Sequence, residues 1–284
     1  MNTRRRFVKD RVMQALAFLM AAIAVFPLLD ILWQIGSQAI PHMGLYLFTE
    51  SVQGNAGGLQ NAILGTLFIV ALSIIISAPL GVLGGIYLAE YAPTSAFGNL
   101  VRFTSDVLSG VPSIVIGYFG FVALVLGAGW HFSALAGAMA LAVMSLPYIL
   151  RATEMAFRNL REDFREAAAA LGADKVTTIF RVLFRPALPG VLTGMILAIS
   201  ISLGETAPLI YTAGWSTFPP TGQLTNSPVG YLTYMIWSFI NVPVSSAHAL
   251  AYSAAFILIL MILLLNVVVR RIFGRTNPGM QRGG

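Results

Sequence analysis

Glu205 is the side chain whose position in this sequence most requires a chemical explanation. It lies inside the apolar stretch 188–213, three residues before Pro208. A carboxylate within a membrane-spanning helix costs a few kcal/mol, so it should face the interior of a bundle or a wet cavity and have a partner. It either lines or gates a solute path, or it is a structural carboxylate paired with a neighbouring helix. Pro208 should kink the helix there.

Three further polar residues are candidates for a translocation path. Thr206 follows Glu205 directly, Arg151 ends a different apolar stretch, and Asp30 lies inside the first one. A carboxylate does not bind an anion directly, so Glu205 would orient a cation or share a polar network with a partner subunit. Arg151 is the nearest basic candidate, although a topology signal explains it equally well. The partner of Asp30 is open.

The residue types exclude most catalytic chemistry. There is no cysteine, and the three histidines, His42, His131 and His248, are far apart, so we predict no metal site and no thiol nucleophile. The sequence contains no phosphate-binding loop of the pattern G-x-x-x-x-G-K-[ST]. We therefore expect a subunit that is not an enzyme and has no cofactor, with energy for any work supplied by a partner.

Composition indicates that these residues are held by helices in a membrane. Hydrophobic residues make up 57% of the 284 residues and charged residues only 10%, against roughly 25% charged in soluble domains. A membrane-spanning helix needs about 20 mostly apolar residues. We predict an all-α membrane protein of one transmembrane domain, 1–284, with six spans at about 12–35, 61–89, 107–126, 132–150, 188–213 and 247–269.

The basic residues predict the orientation of these spans. All 17 Lys and Arg precede the first span, lie between the second and third or between the fourth and fifth, or follow the sixth. Six spans place those segments on one side, which the positive-inside rule assigns to the cytoplasm. We expect both termini there, the first apolar stretch to be an anchor, and the net charge of +6 to encode topology, with no nucleic-acid partner.

The loop 151–187 predicts a short, partly amphipathic helix on that side. Apolar residues recur at helical spacing, and Glu154–Arg158 and Arg158–Glu162 are spaced to pair on its outer face. Gly172 should end the helix. The apolar residues of the stripe are Phe157, Leu160, Phe164, Ala167 or Ala168, and Leu171.

Glu166, Ala167 and Ala168, with Gly172 six positions after the glutamate, resemble the EAA loop of ABC-importer permeases. The resemblance implies a type I importer permease whose loop forms coupling helices on a cytoplasmic ATPase dimer. It also implies a second six-span permease subunit and an extracytoplasmic binding protein. The family pattern has proline nineteen residues after the glutamate, where this chain has Arg185 followed by Pro186.

Four segments in order resemble the PstA-type phosphate permeases: 57–63, 79–91, 110–117 and 204–209. The resemblance implies an inorganic phosphate importer of the bacterial inner membrane, surrounded by lipid, with a distinct PstC-like partner. Relatives often carry a basic residue near Gly204-Glu205, where this chain has Ile201, Ser202 and Leu203. Permeases for phosphonate, molybdate or sulfate, an ion-driven secondary transporter, and a membrane scaffold remain alternatives.

Two further patterns concern the packing of helices and the position of a short helix. Gly81–Gly85 and Gly190–Gly194 have the spacing of close helix contacts and favour packing over binding. The apolar segment 231–240 suits a short helix at the membrane interface, and an ordinary amphipathic loop explains it equally well.

Overall fold

The computed structural model describes residues 3–273, and most of them are helical. Five helices in that range are long and apolar enough to cross a membrane, and a bent pair makes a sixth. The prediction of an all-α fold with six spans is therefore confirmed. Regular strand within 3–273 is limited to one antiparallel pair, Val52–Gln53 with Ala56–Gly57.

The elements follow one another as α1 (Thr3–Ala39), α2 (Tyr46–Thr49), β1 (Val52–Gln53), β2 (Ala56–Gly57), α3 (Gln60–Glu90), α4 (Ala96–Gly110), α5 (Ser113–Gly120), α6 (Ala134–Arg158), α7 (Asp163–Ala170), α8 (Lys175–Thr177), α9 (Phe184–Gly204), α10 (Ala207–Thr212), α11 (Leu232–Phe239) and α12 (Ser245–Phe273). A 3₁₀ turn, Ile40–His42, follows α1, and π-helical turns, Phe121–Gly127 and Thr178–Leu183, continue α5 and lead into α9.

Glycines allow α3 and α9 to pack closely on α6. A Cβ on Gly85 of α3 would lie 2.6 Å from the carbonyl oxygen of Leu150 on α6. On α9, a Cβ on Gly190 would lie 2.6 Å from the Cβ of Ala156, and one on Gly194 would lie 2.2 Å from the Cβ of Ala152. Such small-residue contacts let helix backbones approach in a membrane. The interpretation of the glycine pairs as packing positions is confirmed.

The third span differs from the predicted 107–126. The chain bends by 100° between α4 and α5, so residues 107–110 belong to α4 and the next helix begins at Ser113. Pro112 lacks an N–H and disfavours helical backbone at the residue before it, which ends α4. Ser95 caps the start of α4 by accepting a hydrogen bond from the backbone N–H of Gly98 at 3.0 Å.

The fifth span is interrupted more strongly than the kink we predicted. Helix α9 ends at Gly204, Glu205 is extended (φ −75°, ψ 133°), and α10 begins at Ala207. Pro208 has no N–H to offer the carbonyl of Gly204, four residues before it, so the helical ladder cannot continue there. In α10 itself Pro208 occupies the first turn, where its missing N–H costs nothing.

Within the segment 231–240 the chain forms the helix α11, Leu232–Phe239, and not an irregular loop. Leu232 and Met235 of α11 are fully buried, whereas Trp237 is exposed. The backbone N–H of Leu232 donates to the hydroxyl of Thr66 on α3 at 2.9 Å. Helix α11 therefore closes one end of the bundle as part of its core.

Replacing Gly85 tests the close packing of α3 on α6. Gly85→Ala should lower the free energy of unfolding by about 1–3 kcal/mol, because the added methyl overlaps backbone that must move away. Thermal unfolding in detergent measures this loss. The matched control is Gly36→Ala in α1, where a Cβ meets nothing within 4 Å. Equal melting temperatures for the two variants would contradict the packing argument.

Candidate coupling and translocation sites

Two interrupted helices meet at Glu205. The extended residues after α9 and the bend before α5 lie side by side, with α10 packed on α5. A Cβ added to Gly117 of α5 would lie 2.6 Å from the Cα of Pro208, so no side chain separates the two backbones. Irregular backbone in a membrane is tolerated where protein or a wet cavity surrounds it. Glu205, Thr206 and Ser113 are half-buried, so the break is partly covered by neighbouring helices.

Glu205 is half-buried and is held by its backbone. Its carbonyl accepts a hydrogen bond from the hydroxyl of Thr233 on α11 at 2.8 Å. Its carboxylate lies close to the hydroxyl of Ser113, the first residue of α5. Among the residues with described side chains, no Lys or Arg forms an ion pair with it. The carboxylate therefore has a hydroxyl of α5 beside it, while the backbone of Glu205 is held by α11.

Further hydroxyls lie one turn from this carboxylate. Ser202 on α9 and Ser145 on α6 share a hydrogen bond of 2.8 Å between their hydroxyl oxygens. Ser200 accepts from the side-chain amide of Asn266 on α12 at 3.3 Å. Thr206, beside Glu205, is half-buried. These polar side chains connect α9 to its neighbours.

The Glu166-Ala167-Ala168 sequence lies on α7 and Gly172 ends it, as the spacing predicts. Gly172 has φ +71°, a left-handed conformation that glycine adopts without strain. The backbone N–H of Ala173 donates to the carbonyl of Ala168 at 3.0 Å and closes the helix. Ala168 is buried, whereas Glu166 and Ala167 are exposed. The fold therefore presents Glu166 on an outward surface.

Large apolar side chains are exposed around α7. Leu171 is 88% exposed and Phe164 is 40% exposed. Beyond Gly172, Val176 and Phe180 are more than half exposed. The single apolar stripe that we predicted is wrong: Phe157 belongs to α6 and is buried, and Leu160 lies in the turn between the helices. Exposed apolar surface rimmed by charge is typical of a protein contact.

Glu154, which we predicted on an outer face as a partner of Arg158, is instead a buried carboxylate that organises the basic end of the bundle. Glu154 of α6 is 2% exposed. It accepts from Arg102 Nε of α4 at 2.6 Å, from Arg158 at 3.2 Å and from Arg151 at 3.3 Å. Arg151 also pairs with Asp106 of α4. Arg102 in turn donates to backbone carbonyls at the end of α3. These contacts join α3, α4 and α6.

One of the two predicted ion pairs is confirmed and the other is wrong. Arg158 pairs with Glu154, four residues before it. It does not pair with Glu162, which contacts Arg165 at 2.9 Å instead. Helix α6 ends at Arg158, so the helical spacing between Arg158 and Glu162 is lost in the following turn.

Residues 81–282 match the family of binding-protein-dependent transport system inner membrane components. This match spans α5, the interrupted α9–α10 segment and the α7 loop described above. The chain belongs to this family.

Curated relatives resemble the permease over most of its length. The phosphate transport system permease protein PstA 2 of Mycobacterium bovis is 46% identical over 268 residues, covering 94% of this chain and 89% of the relative. The phosphate transport system permease protein PstA of Haemophilus influenzae is 37% identical, covering 94% of this chain and 95% of the relative.

Solved structures support the fold of the permease. An inward-facing structure of the MetNI methionine ABC transporter aligns with a TM-score of 0.56 at 18% identity, covering 75% of this chain and 94% of that chain. A structure of an amino acid ABC transporter with histidines aligns with a TM-score of 0.54 at 18% identity, covering 76% of this chain and 92% of that chain. At this identity the likeness concerns the arrangement of helices.

The structure of the permease separates the polar candidates. Glu205 and Thr206 lie together at the break, whereas no hydrogen bond or ion pair joins Arg151 to Glu205 in the described part of the chain. Asp30 is exposed on α1 and accepts a hydrogen bond from Gln34, one turn away, at 2.9 Å. Arg151 contacts residues 45 positions away in sequence, a pairing that local spacing does not reveal.

Neutralising Glu154 tests the buried charge cluster. Glu154→Gln should lower the free energy of unfolding by about 3 kcal/mol, because it leaves Arg102 buried without its counter-charge. Thermal unfolding in detergent measures the loss. The control is Asp163→Asn, whose pair with Arg161 is exposed and should contribute less than about 1 kcal/mol. A Glu154→Gln variant as stable as this control would contradict the assignment.

Proposed function

We propose that this chain is the transmembrane subunit of an ATP-driven importer of inorganic phosphate. The observation that carries the proposal is the 46% identity to a phosphate transport system permease across 94% of the chain. Within the type I importer architecture it would form half of the translocation path, with a second, PstC-like six-span subunit as the other half. An extracytoplasmic phosphate-binding protein would supply the affinity, and a cytoplasmic ATPase dimer the energy.

The exposed surface of α7 supports the assignment of the ATPase contact. Glu166, Ala167, Ala168 and Gly172 would form a coupling helix that docks on the ATPase. Exposed apolar side chains beside a helix with a fixed end suit docking into a groove on a partner. If both termini are cytoplasmic, as the positive-inside rule predicts, the basic end of the bundle faces the ATPase.

The break at Glu205 supports its role in the path. Glu205 and Thr206 lie at irregular backbone beside hydroxyls, and irregular backbone at membrane depth is typical of transport sites. Glu205 would gate the path or share a polar network with the second subunit, with Ser113 and Thr233 holding it in place. Arg151 and Asp30 would act from outside this position, Arg151 at the basic end and Asp30 on α1, whose exposed apolar surface faces lipid or the second subunit.

Transport by the assembled complex in sealed vesicles tests the cargo and the energy source. Phosphate uptake should require hydrolysable ATP on the ATPase side and should resist competition by phosphonate, molybdate and sulfate. Unimpaired uptake with a non-hydrolysable nucleotide would contradict the ABC importer, and preferential uptake of another oxyanion would contradict the phosphate assignment.

A charge reversal at Glu166 tests the coupling contact. Glu166→Lys should reduce uptake by about tenfold or more while the subunit remains inserted, because like charges set against each other at an interface cost several kcal/mol. Asp10→Lys on α1 is the matched reversal outside α7 and should have little effect. Normal uptake by Glu166→Lys would refute the docking role.

Removal of the Glu205 carboxylate separates a path residue from a structural one. Glu205→Ala should impair uptake by about tenfold or more, as expected for a group that acts on the moving solute, with little change in the amount of assembled complex. The control is Gly204→Ala, because a Cβ there meets nothing within 4 Å. A loss of assembly in proportion to uptake would favour the structural interpretation.

A further inference from the structure

Glu90, the last residue of α3, is a buried carboxylate that needs a counter-charge. Its side chain is only 7% exposed. A buried charge is stable only when it is paired and hydrogen-bonded. The residue that supplies the pair comes from a different element, 75 positions along the chain.

Arg165 of α7 provides this pair through two hydrogen bonds. Its Nη2 lies 2.6 Å from Oε1 of Glu90, and its Nε lies 3.2 Å from Oε2. A guanidinium bound to both carboxylate oxygens is held in distance and in orientation. Hydrogen bonding to Glu90 raises the pKa of Arg165, so it stays charged.

The same guanidinium contacts two further groups. Its Nη2 donates to the backbone carbonyl of Phe157, in the last turn of α6, at 3.0 Å, and its Nη1 donates to Glu162 at 2.9 Å. Arg165 thus touches the ends of α3 and α6 from a position one residue before Glu166. Among the described residues, it is the one side chain of α7 that hydrogen-bonds to a membrane-spanning helix.

The two ends of α7 are turns. Residues 159–162 separate it from α6, and Gly172, with φ +71°, separates it from α8. Helix α7 packs on the π-helical turn Thr178–Leu183. Toward α3, the hydrogen bonds from α7 among the described residues come from Arg165, so a displacement of α7 reaches the end of α3 through this pair.

We infer that the Arg165–Glu90 ion pair is a latch that transmits movement of α7 to the end of α3. The inference rests on the proposed function, in which α7 docks on the ATPase. Through the glycine contacts of α3 with α6, the movement then reaches the helices around Glu205. Arg165 and Glu90 are positioning residues for transport, and neither contacts the solute.

Charge exchange in the complete transporter tests the latch. The measurement is the number of ATP molecules hydrolysed per oxyanion imported in proteoliposomes. Arg165→Glu and Glu90→Arg should each raise that ratio by about tenfold, because like charges would push α7 from α3, while ATP hydrolysis continues. The double exchange should restore most of the coupling. Arg11→Glu on α1 is the matched reversal and should leave the ratio unchanged.

A covalent link provides a second test that does not need the exchanged pair to fold. The chain contains no cysteine, so in the double variant Glu90→Cys with Arg165→Cys the two thiols can be joined by a short bis-maleimide, which adds to both of them. The unlinked variant should hydrolyse ATP with poor transport, and linking should recover the wild-type ratio.

The outcomes separate the latch from a purely structural pair and from the cargo assignment. A structural pair would lower the amount of assembled complex with an unchanged ratio, and that result would overturn the latch. An unchanged ratio in both reversals, or no recovery on linking, would also overturn it. If wild-type vesicles import a different oxyanion, the phosphate proposal fails, and the ratio is measured with that oxyanion instead.

Discussion

Glycines on α3 and α9 let both helices approach α6 until methyl groups and backbone atoms are all that separate them. In a membrane the apolar solvent does not drive helices together, so association depends on close van der Waals contact and on interhelical hydrogen bonds. This three-helix contact fixes where the ends of α3 and α6 lie. Two sets of polar residues depend on those positions: the break at Glu205 and the charge clusters at the basic end of the bundle.

The break in the fifth span is possible because neighbouring helices contact its backbone. Free carbonyls and N–H groups at Glu205 would be costly in lipid. The structure supplies Thr233 to the carbonyl of Glu205, and Gly117 admits the α10 backbone against α5. Among the described residues this polar position has no local ion pair. In the proposed importer it would line the path without holding an anion tightly.

Sequence reasoning captured the features that depend on neighbouring residues. Hydropathy predicted the crossings, and Glu166, Ala167, Ala168 and Gly172 predicted a helix with a defined end. It failed where distant residues decide the outcome. Apolar residues run on both sides of Pro112, so hydropathy could not reveal the bend. Glu154 and Glu90 are ordinary residues in sequence, and only folding brings Arg102 and Arg165 to them.

The two charge clusters at the basic end differ in what they connect. Glu154 joins α3, α4 and α6, whose relative positions packing already fixes, so its arginines reinforce an existing arrangement. Arg165 joins α3 to α7, a helix with turns at both ends and exposed apolar surface. A guanidinium bound to both oxygens of a buried carboxylate fixes the orientation of α7 relative to the end of α3. Loss of the Glu154 cluster should therefore lower the stability of the bundle. Loss of the Arg165–Glu90 pair should instead weaken the transmission of movement from α7 to α3.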